Sequence, residues 1–174
     1  YISVATTNAT GIMPNNDYDR YNFSFRNTTN FLNNKFILDT SANYIIQNDK
    51  NMVSQGQYFN PLTSLYLFPR GEDFSDVAVY ERYDDLSGVN TQYWPYGDLG
   101  GVSSQNPYWI MNRMNRENDR RRYKLAASLQ YNIIEGLNVQ GRVSIDNTES
   151  KYTEKFHAGT VGNFAGPKGR YKEE

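Results

Sequence analysis

Long two-residue alternations constrain this chain more than any other feature of its sequence. From Lys35 to Gln47, Phe36, Leu38, Thr40, Ala42, Tyr44 and Ile46 alternate with Lys35, Ile37, Asp39, Ser41, Asn43, Ile45 and Gln47. Successive strand residues point to opposite faces, so this pattern predicts a strand with one apolar and one mostly polar face. Tyr123 to Ile133 repeats it, with Tyr123, Leu125, Ala127, Leu129, Tyr131 and Ile133 set against Lys124, Ala126, Ser128, Gln130 and Asn132. Leu137 to Asn147 repeats it again, with Leu137, Val139, Gly141, Val143 and Ile145 opposing Asn138, Gln140, Arg142, Ser144 and Asp146. Asp19 to Asn30 opposes Tyr21, Phe23 and Phe25 to Asn22, Ser24 and Arg26, and Ile2 to Thr10 is a weaker case.

These runs are about 9 to 13 residues long, beyond the typical globular strand of about 5 to 6 and matching the roughly 9 to 11 that cross a bilayer at a tilt. The connections point the same way. Leu32 to Lys35 and Glu135 to Gly136 read as tight hairpins, whereas the other connections are long. Short turns alternating with long loops are expected of an outer-membrane barrel, with turns in the periplasm and loops outside. Gly11 to Asp17, Asn48 to Arg122 and Ser150 onward are then extracellular. The expected fold is an all-β, antiparallel up-and-down transmembrane β-barrel segment with strands near 2-10, 19-30, 35-47, 123-133 and 137-147. The apolar sets face lipid; Ser41, Asn43, Ser128, Gln130, Arg142 and Asp146 face the lumen; Tyr44, Tyr123 and Tyr131 suit the interfacial girdles.

Composition agrees. Only 38% of the residues are hydrophobic, yet 15 Tyr, 9 Phe and 2 Trp supply rings, which suit boundaries between water and an oily phase. The formal charge of -1 gives no global reason to expect nucleic acid. With no Cys, thiol chemistry is excluded. No run approaches 18 consecutive apolar residues, so no membrane-spanning helix is expected. The chain opens at Tyr1 inside a strand-like run and closes at Tyr171 to Glu174 without a recognisable cap, so a piece of a longer protein is expected. The missing strands would come from the rest of that protein, because about 8 is the smallest usual barrel and open edges in lipid leave polar groups unpaired.

The central segment 48-122 carries Tyr58, Phe59, Tyr66, Phe68, Tyr80, Tyr83, Tyr93, Trp94, Tyr96, Tyr108 and Trp109 between prolines and glycines. It reads as a structured insertion with a small aromatic core. Tyr66, Tyr93, Trp94, Tyr108 and Trp109 are candidate substrate or partner contacts, since rigid rings stack on sugars or protein surfaces at low entropy cost; packing within the loop is the competing use of the same rings.

No catalytic constellation is found. His157 is the only histidine and has no Cys or second His to complete a metal site, so it is expected to be structural or solvent-facing. Glu72, Asp73, Asp76, Glu81, Asp84, Asp85 and Asp98 lack the spacing of a glycosidase pair or a calcium loop. Ser103 and Ser104 have no nucleophile-elbow context, and Gly97 to Gly101 reads as an ordinary turn. Arg113, Arg116, Arg120, Arg121 and Arg122 read as a strand mouth pairing with acids such as Glu117 and Asp119, or meeting lipid headgroups.

Three blocks carry a resemblance: Asn60-Pro61-Leu62-Thr63-Ser64-Leu65-Tyr66-Leu67-Phe68-Pro69-Arg70-Gly71, Tyr93-Trp94-Pro95, and Gln105-Asn106-Pro107-Tyr108-Trp109-Ile110-Met111-Asn112-Arg113. With Gly11 to Asn16 and Tyr21 to Arg26 upstream, the chain resembles the SusC/RagA group of TonB-dependent outer-membrane transporters of Bacteroidetes. The resemblance implies a barrel of about 22 strands around a plug, a SusD-like surface lipoprotein as lid, TonB as the energy-coupling partner, an oligosaccharide or peptide as cargo, and no cofactor. Nothing in the chain resembles the plug or the TonB box. A soluble extracellular β-sandwich that binds carbohydrate through loop aromatics is the alternative; its apolar faces would meet a second sheet.

Overall fold

A computed structural model describes residues 1-54, 56, 58-96 and 105-174. Asp98, the turn at Gly97 to Gly101, and Ser103 with Ser104 lie outside the described residues. The fold is mostly antiparallel β, with 57% of residues in strands and 11% in helix. In chain order it comprises β1 (Ile2–Thr10), β2 (Asp17–Phe31), β3 (Phe36–Lys50), α1 (Pro61–Tyr66), a 3-10 turn (Phe74–Ala78), β4 (Glu81–Asp84), β5 (Val89–Gln92), α2 (Pro107–Arg113), β6 (Met114–Ile134), β7 (Leu137–Phe156) and β8 (Arg170–Glu173). One six-stranded sheet has the order β1-β2-β3-β6-β7-β8, and β4 and β5 form a separate hairpin.

All the expected strands form, and four of them run longer than their apolar alternation. β6 begins at Met114 rather than near 123, and β7 continues to Phe156 rather than 147. The segment expected as loop from 48 to 122 therefore gives its ends to β3 and β6. The reason is pairing. Asn51 N–H donates to the Arg116 carbonyl at 2.8 Å, and the Asn51 side chain accepts from Arg116 N–H at 2.8 Å. Cross-strand pairs of this kind hold a ladder together where neither face is apolar. The two tight turns are where the sequence puts them. Leu32, Asn33 and Asn34 all have positive φ, and Gly136 at φ 83° provides the left-handed residue between β6 and β7.

The chain divides into two compact units. The first comprises 1-9, 18-48 and 119-150, the long strands of the main sheet. None of its residues is fully buried, and the β7 stretch within it is exposed on both faces. The second comprises 10-17, 49-118 and 151-174. It holds all the buried apolar side chains among the described residues: Val77, Trp109, Ile110, Met111, Met114, Phe156 and Ala165. Phe59, Tyr80 and Phe164 pack against that cluster. The aromatic insertion thus has a core, completed by Phe156, Phe164 and Ala165 from the end of the chain.

Both short helices start the same way. Asn60 and Asn106 are their N-caps, each accepting from the N–H two residues on, and each is followed by a proline at the first helical position. Proline fits there because its missing N–H has no partner in the first turn anyway.

Candidate functional site

The first unit presents two chemically distinct surfaces. On one, Ile2, Val4, Tyr21, Phe23, Phe25, Tyr44, Tyr123, Leu125, Leu129, Tyr131, Ile133, Val139, Val143 and Ile145 are all exposed, Leu129 at 43% and Val143 at 65%. Soluble proteins rarely leave so many large apolar side chains open in one contiguous patch. The opposite surface is polar and cross-linked. The Arg26 guanidinium donates to both oxygens of Asp39, at 3.3 Å from Nε and 2.6 Å from Nη2. Arg122 does the same to Asp146, at 2.8 and 2.6 Å, and the Lys124 ammonium lies 3.3 Å from Asp146 Oδ2. Asn43 donates to Asn22 Oδ1 at 3.0 Å and to Ser24 Oγ at 2.6 Å. Arg26, Asp39, Ser41, Ser128 and Arg142 line one hollow of about 290 Å³ on this surface.

The second unit is organised around Asn106, which is 1% exposed. Its amide nitrogen donates to the carbonyls of Val77 (2.9 Å) and Tyr93 (3.1 Å), its Oδ1 accepts from Tyr108 N–H (2.9 Å), and its backbone N–H donates to Gln92 Oε1 (2.8 Å). Gln105, equally buried, donates from Nε2 to the Tyr58 carbonyl at 2.6 Å and from its N–H to Ser64 Oγ at 3.1 Å. These side chains satisfy buried carbonyls of the irregular segments, which would otherwise be costly.

The five ring residues expected as contacts do not converge. Trp109 is 0% exposed, and its indole N–H donates to Thr160 Oγ1 at 3.2 Å, so it builds the core and has no surface to offer. Tyr108 is half-buried against Tyr80, with ring centroids 6.4 Å apart. Tyr93 is half-buried beneath the Arg82 guanidinium, 3.3 Å from the ring centroid. Trp94 belongs to a cluster with Phe68 and Tyr96, centroids at 6.5 and 5.2 Å, which Phe74 joins through Phe68 at 5.4 Å. Tyr66, 86% exposed at the end of α1, is the most open of the five. The polar hub at Asn106 has one local signal in the sequence, the Asn-Pro pair that opens α2.

The acids of this unit have structural duties. Glu81 receives both Nε and Nη2 of Arg113, at 2.8 and 2.9 Å, and that hydrogen-bonded pairing holds its carboxyl below the usual range. The Ser75 N–H does the same for Asp73, and the Ser87 hydroxyl and N–H for Asp84. Arg116 donates from Nη2 to the Phe59 carbonyl at 3.3 Å, and burial lowers its pKa. The arginine run does find acids, but not Glu117 and Asp119. Arg113 takes Glu81 and Arg122 takes Asp146, while Glu117 pairs with Lys155 at 2.7 Å. Neighbours along a strand point to opposite faces, so pairing is made across strands instead. His157 is exposed. Among the described residues no three His, Asp or Glu side chains converge as a metal-binding group, and no helix is long and apolar enough to cross a membrane.

No protein-family model matches the chain, and no curated protein is significantly similar to it.

Proposed function

We propose that this chain is part of the wall of a transmembrane β-barrel in a bacterial outer membrane, in a TonB-dependent transporter of the SusC/RagA type. The observation that carries the reading is the contiguous exposed apolar surface of the first unit, on long strands with no buried residue beneath either face. In water such a sheet has no core to stabilise it; against lipid on one side and a wet lumen on the other, the same alternation is favourable. Strands of 15, 15, 21 and 20 residues, β2, β3, β6 and β7, are long enough to cross and to extend beyond the bilayer. The membrane-spanning parts are those in the first unit.

In this reading the polar surface lines the lumen, and the second unit is extracellular. The family assignment rests on the blocks around Asn60, Tyr93 and Gln105. From it follow import of a bulky nutrient, oligosaccharide or peptide, a SusD-like lipoprotein partner, and TonB coupling through a plug outside this chain. The barrel wall itself carries out no chemistry in this reading.

Single cysteines at alternate positions from Tyr123 to Ile133, in the transporter in outer membranes, test the proposal. Positions 125, 127 and 129 are expected to resist water-soluble maleimides and to be quenched by lipid-borne nitroxides, while 126, 128 and 130 label from water. If positions 125, 127 and 129 are instead shielded from both reagents by a second protein sheet, the soluble sandwich replaces the barrel.

A further inference from the structure

We propose that the outward surface of β2 around Asn27 and Thr29 is a contact between two copies of the transporter within the membrane. The inference rests on the barrel reading, in which this surface faces lipid, and adds a partner.

The apolar alternation of β2 breaks where the strand does not. Tyr21, Phe23 and Phe25 are followed on the same face by Asn27 and Thr29, and only then by Phe31. The Asn27 amide donates to Thr29 Oγ1 at 2.8 Å, so both side chains lie on one side of the strand. Phe31 fixes which side it is. Its ring stacks on Phe36 at 5.5 Å, and Phe36 stacks at 4.6 Å on Tyr131, which belongs to the apolar surface. On the neighbouring strand the Thr40 hydroxyl donates to the Asn27 carbonyl at 3.4 Å and extends the polar island.

The island is level with the apolar middle of the neighbouring strands. In an antiparallel sheet the pairing that sets Phe31 beside Phe36 and Phe36 beside Tyr131 also sets Thr29 beside Leu38 and Leu38 beside Leu129. Asn27 and Thr29 therefore stand between Phe25 and Phe31, in line with leucines and away from the polar ends of the strands. Their bond to each other leaves the Asn27 amide oxygen, its second N–H and the Thr29 hydroxyl hydrogen without a partner among the described residues. Hydrocarbon offers none. A further strand beside β2 would lie in the same sheet and would not come between these groups and the lipid.

A second copy supplies what is missing. Amide and hydroxyl each donate and accept, so the island is complementary to itself, as a two-fold contact requires of a single patch. Asn27, Thr29 and Thr40 carry no charge, so nothing in the island calls for a partner of opposite sign. Phe25 and Phe31, exposed on either side of it along the strand, add apolar surface to the same contact.

The test is oxidative cross-linking in outer membranes of the full transporter, freed of any other cysteine. Asn27→Cys is expected to give a covalent species of twice the transporter's mass, and Val143→Cys, an exposed position of β7 outside the island, is not. In detergent, the double variant Asn27→Leu, Thr29→Val is expected to weaken self-association about tenfold by sedimentation while the barrel still assembles, because both changes replace polar groups with apolar ones of similar size. Three results overturn the inference: Asn27→Cys quenched by lipid-borne nitroxides as strongly as Leu125→Cys, a cross-link only to a protein of another mass, or a double variant that associates as before. Leu125→Cys and Leu129→Cys in the same membranes separate the two levels. If those positions are not lipid-exposed, the barrel reading falls; if they are and Asn27→Cys gives no doubled species, only the contact between copies falls.

Discussion

Arg113 and Glu81 form a two-point ion pair, with Nε and Nη2 of the guanidinium 2.8 and 2.9 Å from the two carboxylate oxygens and both side chains mostly shielded from solvent. Arg113 ends α2 and Glu81 begins β4, so the pair ties the helix that carries Trp109 to the hairpin. The Glu81 carboxyl is depressed in the folded protein, chiefly by the hydrogen bonds from Arg113. Its contribution is therefore complete above its unfolded value of about 4.3 and is lost as pH falls through the lower folded value. Glu81→Gln is expected to cost about 1 kcal/mol at neutral pH and to flatten the acid limb of stability below about pH 4.3. Fluorescence of Trp94 and Trp109, followed against denaturant at several pH values, reads both effects; an unchanged acid limb in the variant rules out this pair as its source.

Asn106 caps α2 and also donates to two buried carbonyls, and the two duties are separable by substitution. Asn106→Asp keeps the cap acceptor but cannot donate to Val77 and Tyr93. Asn106→Ala loses both. Because stranded buried carbonyls dominate, both variants are expected to lose about 3 kcal/mol in chemical denaturation. An Asp variant close to wild type would falsify the assignment of Asn106 as a hub and leave it a cap alone.

Gly159 and Gly141 give a paired contrast. Gly159 has φ +85°, and a Cβ there would lie 2.2 Å from the Asn90 carbonyl oxygen. The close approach lets Gln92 N–H donate to the Gly159 carbonyl at 3.2 Å. A Cβ at Gly141 would meet nothing within 4 Å. Gly159→Ala should lower stability by about 2 kcal/mol or more, and Gly141→Ala should stay within about 0.5 kcal/mol of wild type. Comparable denaturation midpoints for the two variants would show that the loop around Gly159 is free to move aside.

The strands of the first unit were legible because one face is apolar, and a two-residue period shows itself only when the two faces differ. From Met114 to Arg122 the residues are polar or charged on both faces after Met114, so the alternation carries no signal, and the strand is defined by its pairing with Asn51 and its ion pair to Asp146. The caps of α1 and α2 were visible as Asn60-Pro61 and Asn106-Pro107, although these six- and seven-residue helices are too short to show a helical period. What no local pattern distinguishes is which ring is inside. Trp109 and Trp94 both sit within two residues of a proline in aromatic company, yet one is fully buried and the other half-exposed, because burial follows from contacts with residues about fifty positions away such as Phe156 and Thr160.

The sharpest consequence of the two faces concerns adjacent residues on β6. Leu129 is 43% exposed on the apolar surface, and Gln130, its neighbour, belongs to the polar one, donating to Asn132 Oδ1 at 2.8 Å. In a lipid-facing wall an arginine at position 129 must bury its charge in hydrocarbon or drag water and headgroups toward it, at a cost of roughly 2 to 4 kcal/mol near the midplane. At position 130 the same arginine projects into an aqueous lumen already lined by Arg142 and Lys124, and the change is expected to be near neutral. Heat-modifiable migration of the assembled barrel, scored after refolding into lipid vesicles across a urea series, measures both variants on one scale. A Leu129→Arg protein that assembles as well as Gln130→Arg would mean that the apolar surface does not face lipid, and the membrane reading would fail with it.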